Sequence, residues 1–145
     1  MAQRKITEDN LGAWVIKCDP QQHARVRRAL LEHRQHIVRD WCVADNYRSR
    51  MMRPGHKAIL WVSAAGGTVT RGIAGVGWVS SEARGDVSLH IPLLHDTVSD
   101  EELRATGIDD LEVQRLPVGS NPSWVSTAQL ADIGKLLDGW PEQEG

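Results

Sequence analysis

The chain has 145 residues, 41% hydrophobic and 25% charged, with a net charge of −2, which suits a single domain with one sizeable core and excludes wholesale disorder. No apolar run reaches the ~18 residues of a membrane-spanning helix, and no secretory leader is evident, so no membrane partner is expected. With Cys18 and Cys42 as its only cysteines, the sequence predicts free thiols and a reducing, cytoplasmic setting.

Residues 1–12 are polar and are expected to be loosely ordered, leaving 13–141 as the domain. Trp14, Val15 and Ile16 predict a short strand. Asp19 is placed to cap a following helix, with Pro20 in its first turn and Gln22 completing a capping box. That helix is expected to run to about residue 36 with an amphipathic face. Next comes the stretch from Trp41 to Ser63, which joins a polar loop with one tyrosine, a basic run, a Pro54-Gly55 turn and a buried strand. In the strand, Ile59, Trp61 and Ser63 share one face, and Leu60 and Val62 the other.

Ala64 to Gly67 predicts a flexible connection, and Gly72 to Val79 a second buried strand, in which Gly75 and Gly77 mark a bend or a close approach. Asp86 to Leu94 gives the clearest period-two pattern, through Val87, Leu89, Ile91 and Leu93, and predicts a third, with Pro92 suggesting an edge or a bulge. Ser99 and Ser126 each open a helix with a capping-box pattern. Between them, Leu111, Val113 and Leu116 predict a strand, and Gly119 to Pro122 a turn. The last helix is expected to stop at Gly139, with Leu130, Ile133, Leu137 and Trp140 on one stripe. Short bent strands interleaved with two or three helices predict an α+β domain whose sheet curls into a small barrel.

The charges are unevenly spread: residues 25–57 carry nine Lys/Arg against three Asp/Glu, a local +6 that leaves −8 elsewhere. One anion-facing surface would produce this, as would a solvated basic helix face over 25–39. The aromatic set is six Trp, one Tyr and no Phe; a tryptophan-based interior has to accommodate indole N–H donors. Asn46, Tyr47 and Arg48 bring an amide, a ring and a guanidinium together between Trp41 and Trp61, which suits gripping a flat polar ligand. The competing reading makes the tryptophans core and Tyr47 a loop anchor.

Metal and catalytic chemistry find little support. His33 and His36 have no third ligand and lie among arginines, and His90 and His95 fare no better. Cys42 has no identified base, Ser120 and Ser126 suit turn and cap positions, and Asp109 and Asp110 fall on a loop. No cofactor, metal or enzymatic activity is expected, and binding is the default.

The order of Trp14-Val15-Ile16-Lys17-Cys18-Asp19-Pro20, then Trp41 with Asn46-Tyr47-Arg48, then Met52-Arg53-Pro54-Gly55-His56-Lys57 before Leu60-Trp61-Val62-Ser63, then Gly72-Ile73-Ala74-Gly75, resembles the EVE domain. The family usually carries an acid where His56 stands and a tyrosine or phenylalanine where Trp61 stands. The resemblance implies a PUA-like fold, a small curled β-barrel flanked by helices, similar to YTH readers. It also implies a non-catalytic module that takes one flipped base of DNA or RNA, such as a modified cytosine, into an aromatic pocket, with an effector protein as a further partner. The implied pocket walls are Trp14, Lys17, Asn46, Tyr47, Trp61 and Ser63, closed by Asn121, Pro122 and Trp124; Arg48, Arg50 and Arg53 are the expected phosphate contacts. The alternative is a small-molecule sensor holding a nucleoside-like ligand in the same pocket.

Overall fold

Continuous apolar runs in three segments and an alternating one in a fourth commit the chain to a sheet with two buried faces. The computed structural model describes residues 5–63 and 69–143. In chain order the elements are β1 (Leu11–Cys18), α1 (Ala24–Leu31), β2 (Ile37–Cys42), α2 (Tyr47–Met51), β3 (Lys57–Val62), β4 (Gly72–Val79), β5 (Asp86–Ser99), α3 (Asp100–Ala105), α4 (Glu112–Arg115), β6 (Ser123–Ser126) and α5 (Thr127–Gly134). Six strands form one mixed sheet in the order β2-β5-β4-β3-β1-β6, with β1 and β3 parallel and the other neighbours antiparallel. The class is α+β, as expected. The sheet is open, however: β2 and β6 are its two edges and do not pair, so it is not closed into the expected barrel.

Trp14, Ile16 and Cys18 of β1 and Leu60 and Val62 of β3 point into one core, which α1 covers through Val26. Val15, Ile59 and Trp61 point into the other, under α3, α4 and α5, which contribute Leu103, Val113 and Ile133. The period of two assigned these faces correctly. Gly77 is required by packing: a Cβ there would run into the backbone carbonyl of His90, so β5 approaches β4 where no side chain fits.

Several local expectations are corrected. The Asp19 carboxylate accepts from Gln21 N at 3.0 Å and closes a turn, so the first helix starts later, behind His23, which provides no side-chain cap. It also ends early, where His33 takes a left-handed φ of 52°; residues 37–42 form β2, a strand the sequence reading did not assign. Leu111 and Val113 are both buried, but the predicted strand is α4, because Gln114 folds back to accept from Leu111 N at 2.8 Å. Of the two readings of Pro92 the edge is excluded, because β5 lies between β2 and β4, while the bulge holds: the register of β5 shifts on both sides of Pro92, against β2 between Val38 and Asp40 and against β4 between Ile73 and Gly75. The last helix stops at Gly134, although Leu137 and Trp140 still pack on the core. Order begins sooner than expected: Ile6 is buried, and Thr7 and Asn10 bond each other. The connection at Ala64 to Gly67 lies outside the described residues.

The two largest buried side chains differ in their polar atoms. Trp14, 0% exposed, donates from Nε1 to His56 Nδ1 at 3.1 Å. Trp61, 1% exposed, has no partner for Nε1 among the described residues. Replacing Trp14 with Phe is therefore expected to cost about 1–3 kcal/mol in urea unfolding, because a bond is lost along with volume. Trp61→Phe sheds an unsatisfied donor and is expected to stay within about 1 kcal/mol of wild type. Equal losses would show that the Trp61 indole has a partner after all.

His56 Nδ1 also accepts from Arg53 N at 3.2 Å, which fixes the ring as neutral with its proton on Nε2. Burial, then the charge of Arg53, hold its pKa below the ordinary 6.5, against an opposing pull from Glu8. The unfolded chain takes up this proton first, so the contribution is intact above pH 6.5 and is lost as pH falls from there toward the lower folded value. In His56→Gln, stability measured by denaturant titration is expected to lose this slope below pH 6.5.

Candidate functional site

The parallel strands β1 and β3 end side by side at Cys18 and Val62, and the segments that follow or face those ends converge there. Lys17, the last but one residue of β1, is held by Asn121, whose Oδ1 accepts from Lys17 N at 2.7 Å and whose Nδ2 donates to Lys17 O at 3.0 Å. Asn121 O accepts from Ala44 N at 3.0 Å, which brings the loop before α2 to the same place. Ser63 donates from Oγ to Cys18 O at 3.2 Å. The Lys17 ammonium reaches the carbonyls of Leu116 and Val118, each at 3.2 Å. Its pKa is lowered chiefly by burial, with Glu112 opposing and Arg48 adding.

α2, absent from the sequence reading, carries the polar part of the site. Asn46 caps it: Oδ1 accepts from Arg48 N at 3.0 Å and Ser49 N at 3.2 Å, and Ser49 Oγ accepts from Asn46 N. This Asn-x-x-Ser capping box was the legible signal. Because the oxygen must face two N–H donors, the amide orientation is determined. Asn46 Nδ2 is left with no bond among the described residues.

Arg48 makes a two-pronged pair with Glu112, at 2.6 and 2.8 Å, and donates to Pro122 O at 3.3 Å. Ser123 Oγ completes the cluster by donating to Glu112 Oε1 at 2.7 Å. The Arg48 pKa is driven well above its ordinary value by the Glu112 hydrogen bond, against burial, with Tyr47 adding to the rise. Burial by itself raises the Glu112 pKa, but hydrogen bonds from Arg48 and Ser123 outweigh it and the carboxyl titrates below its ordinary 4.5. Arg48 is thus a structural arginine and is corrected from the expected phosphate contact. Arg50 and Arg53 are exposed, with surface pairs to Asp45 at 3.1 Å and Glu82 at 4.0 Å that compete weakly for them.

The expected nine-residue pocket divides. Lys17, Asn46, Tyr47, Ser63, Asn121 and Pro122 belong to the convergent end, where Tyr47 is 49% exposed. Trp14 and Trp124 are sealed in one core and Trp61 in the other, with the sheet between them. They cannot wall one hollow. A period of two showed which residues share a face, but the helices that cover each face come from distant segments. Sequence reasoning also missed Glu112 and Ser123, whose only signal was that a half-buried Arg48 needs an acid.

Beside this end runs a cleft of about 580 Å³ between α1 and edge strand β2, whose lining includes Arg25, Arg39, Asp40, His36 and Trp41. The His23 ring lies on Trp41 at 4.2 Å and 31°. Cys42 is exposed and Cys18 buried, both as free thiols, and burial pushes the Cys18 thiol to about 12. Among the described residues no group of three His, Cys, Asp or Glu could hold a metal ion, and no helix is long and apolar enough to cross a membrane. No family model, curated protein or solved structure matches the chain.

Removing Glu112 leaves Arg48 half-buried without its anion, so Glu112→Ala is expected to cost about 2–3 kcal/mol at pH 7 in chemical denaturation. Since the folded carboxyl binds its proton less readily than the unfolded one, this stabilisation is present above pH 4.5 and disappears as pH falls through the folded value. The difference between variant and wild type should therefore shrink in acid; a constant difference would contradict the assignment.

Proposed function

We propose that the chain is a non-catalytic nucleic-acid-binding domain of the EVE and PUA-like type, which receives a single base of DNA or RNA at the exposed start of α2. The observation that carries the reading is the Asn46-Tyr47 pair: a half-exposed ring next to an amide N–H₂ with no bond to any described residue, on a helix anchored by Arg48 and Glu112. Arg50 and Arg53 flank it with exposed guanidinium groups.

In this reading the base stacks on Tyr47, and Asn46 Nδ2 donates to an acceptor on its edge. Stacking on an aromatic ring is worth about 1–3 kcal/mol per base. Taking a base out of a duplex costs a few kcal/mol and less from a single strand, so single strands bind better. Arg50 and Arg53 hold phosphates, which sets affinity without reading sequence. Arg25, exposed at the neighbouring cleft, offers a continuation for the backbone. A buried methyl on a modified cytosine adds about 0.8 kcal/mol, roughly fourfold in affinity.

Fluorescence anisotropy with oligonucleotides carrying cytosine, 5-methylcytosine or 5-hydroxymethylcytosine, single- and double-stranded, at two salt concentrations tests this. Tyr47→Ala is expected to weaken binding about five- to hundredfold. Arg50→Ala should weaken all sequences alike and reduce the salt slope by about 0.7–0.9. Absence of salt-dependent binding to any of these oligonucleotides would refute the proposal. Salt-insensitive binding fully competed by free nucleoside would indicate the nucleoside sensor instead.

A further inference from the structure

A second cleft, of about 620 Å³, lies on the far side of β1 from α1, between α5, the turn at Gly55 and the segment that follows α5. Its walls include Leu11, Leu130 and Leu137 together with the rings of Trp78 and Trp140. The two indoles are tied reciprocally: Trp78 Nε1 donates to Pro141 O at 2.7 Å and Trp140 Nε1 to Gly77 O at 2.9 Å. Their polar atoms are spent and their positions set, so what they offer a ligand is ring surface.

Between them stands a cation. Lys57 Nζ lies over the Trp140 ring at 5.1 Å and the Trp78 ring at 6.0 Å. It is half-buried and makes no hydrogen bond or ion pair with any described residue. Of the acids, Glu8 reaches the rim, where its charge acts on His56. Among the described residues no acid is bonded to this half-buried ammonium, which ring faces meet at close range, and the space beside it is of the size that small-molecule sites have, roughly 300–1,000 Å³.

We propose that this cleft binds a small, flat carboxylate, with its body on the indoles and its anion on Lys57. One ammonium balances one carboxylate, whereas a phosphate monoester would bring a charge of about −1.5 to −2 into apolar walls with a single cation to meet it. The site is separate from α2, and nothing in it depends on nucleic-acid binding.

Titration calorimetry with 2-naphthoate and its neutral counterpart 2-naphthamide tests the proposal without any nucleic acid. Naphthoate is expected to bind saturably and about tenfold more tightly than the amide. Lys57→Met keeps the stem and removes the charge; it should abolish that preference while leaving amide binding in place. Gly134 lines the cleft and a Cβ there meets nothing within 4 Å, so Gly134→Leu fills the space without strain and is expected to eliminate binding of both. Equal affinity for the two probes, a preference that survives Lys57→Met, unchanged binding in Gly134→Leu, or no saturable binding below millimolar concentration would each overturn it.

Discussion

The Arg48–Glu112 pair is the constraint on which the functional end of the molecule depends. It joins α2 to α4 and, through Ser123 and the Pro122 carbonyl, to β6, so three segments far apart in sequence share one charged centre. Both side chains are mostly withdrawn from solvent, at 19% and 12% exposure. Withdrawing charges is expensive, and a pair in this setting is tolerated where every lone pair and proton finds a partner. Here both Glu112 oxygens accept, from Arg48 Nη1 and Nη2 and from Ser123 Oγ, and Arg48 Nη1 donates also to Pro122 O, so the cluster fixes where α2 and its Tyr47 stand. A five-residue helix has little stability of its own; α2 holds its place because its cap and its arginine are both engaged.

The second determinant is that the sheet is covered on both sides. β1 and β3 are apolar on both faces, as buried parallel strands are. One face meets α1 and the other meets α3, α4 and α5. Three tryptophans are consumed in this way, so the exposed ring on the basic side is the one tyrosine. The remaining accessible tryptophan surface is displaced to Trp41 beside α1 and to Trp78 and Trp140 at the opposite cleft.

How far the sequence could be read follows from the range of each interaction. β1, β3 and β4 were legible as short apolar runs and most of β5 by its alternation, both local patterns, and the caps of α3 and α5 because Ser99 and Ser126 act within one turn. α4 was misread since Leu111 and Val113 alternate like a strand while Gln114 decides otherwise. The first helix was overextended because Asp19 serves a turn as readily as a cap. At the site, Lys17, Asn46, Tyr47, Ser63, Asn121 and Pro122 were found together, since strand ends and their loops gather them. The tryptophans were misplaced because burial depends on which distant helix covers which face. Lys57 with Trp78 and Trp140 went unremarked, as its members lie on three separate elements.

An open sheet also has to prevent its own polymerisation. β2 offers a rim to which a strand from another molecule would add, and on a flat, apolar rim that addition leads to fibrils. Here the register slips between Val38 and Asp40, and Arg39 and Asp40 both reach solvent. A charged border is a poor template for a ladder. The other border, β6, is four residues long and runs straight into α5. Charge on one border and brevity on the other both lower the tendency of the sheet to extend through a second copy.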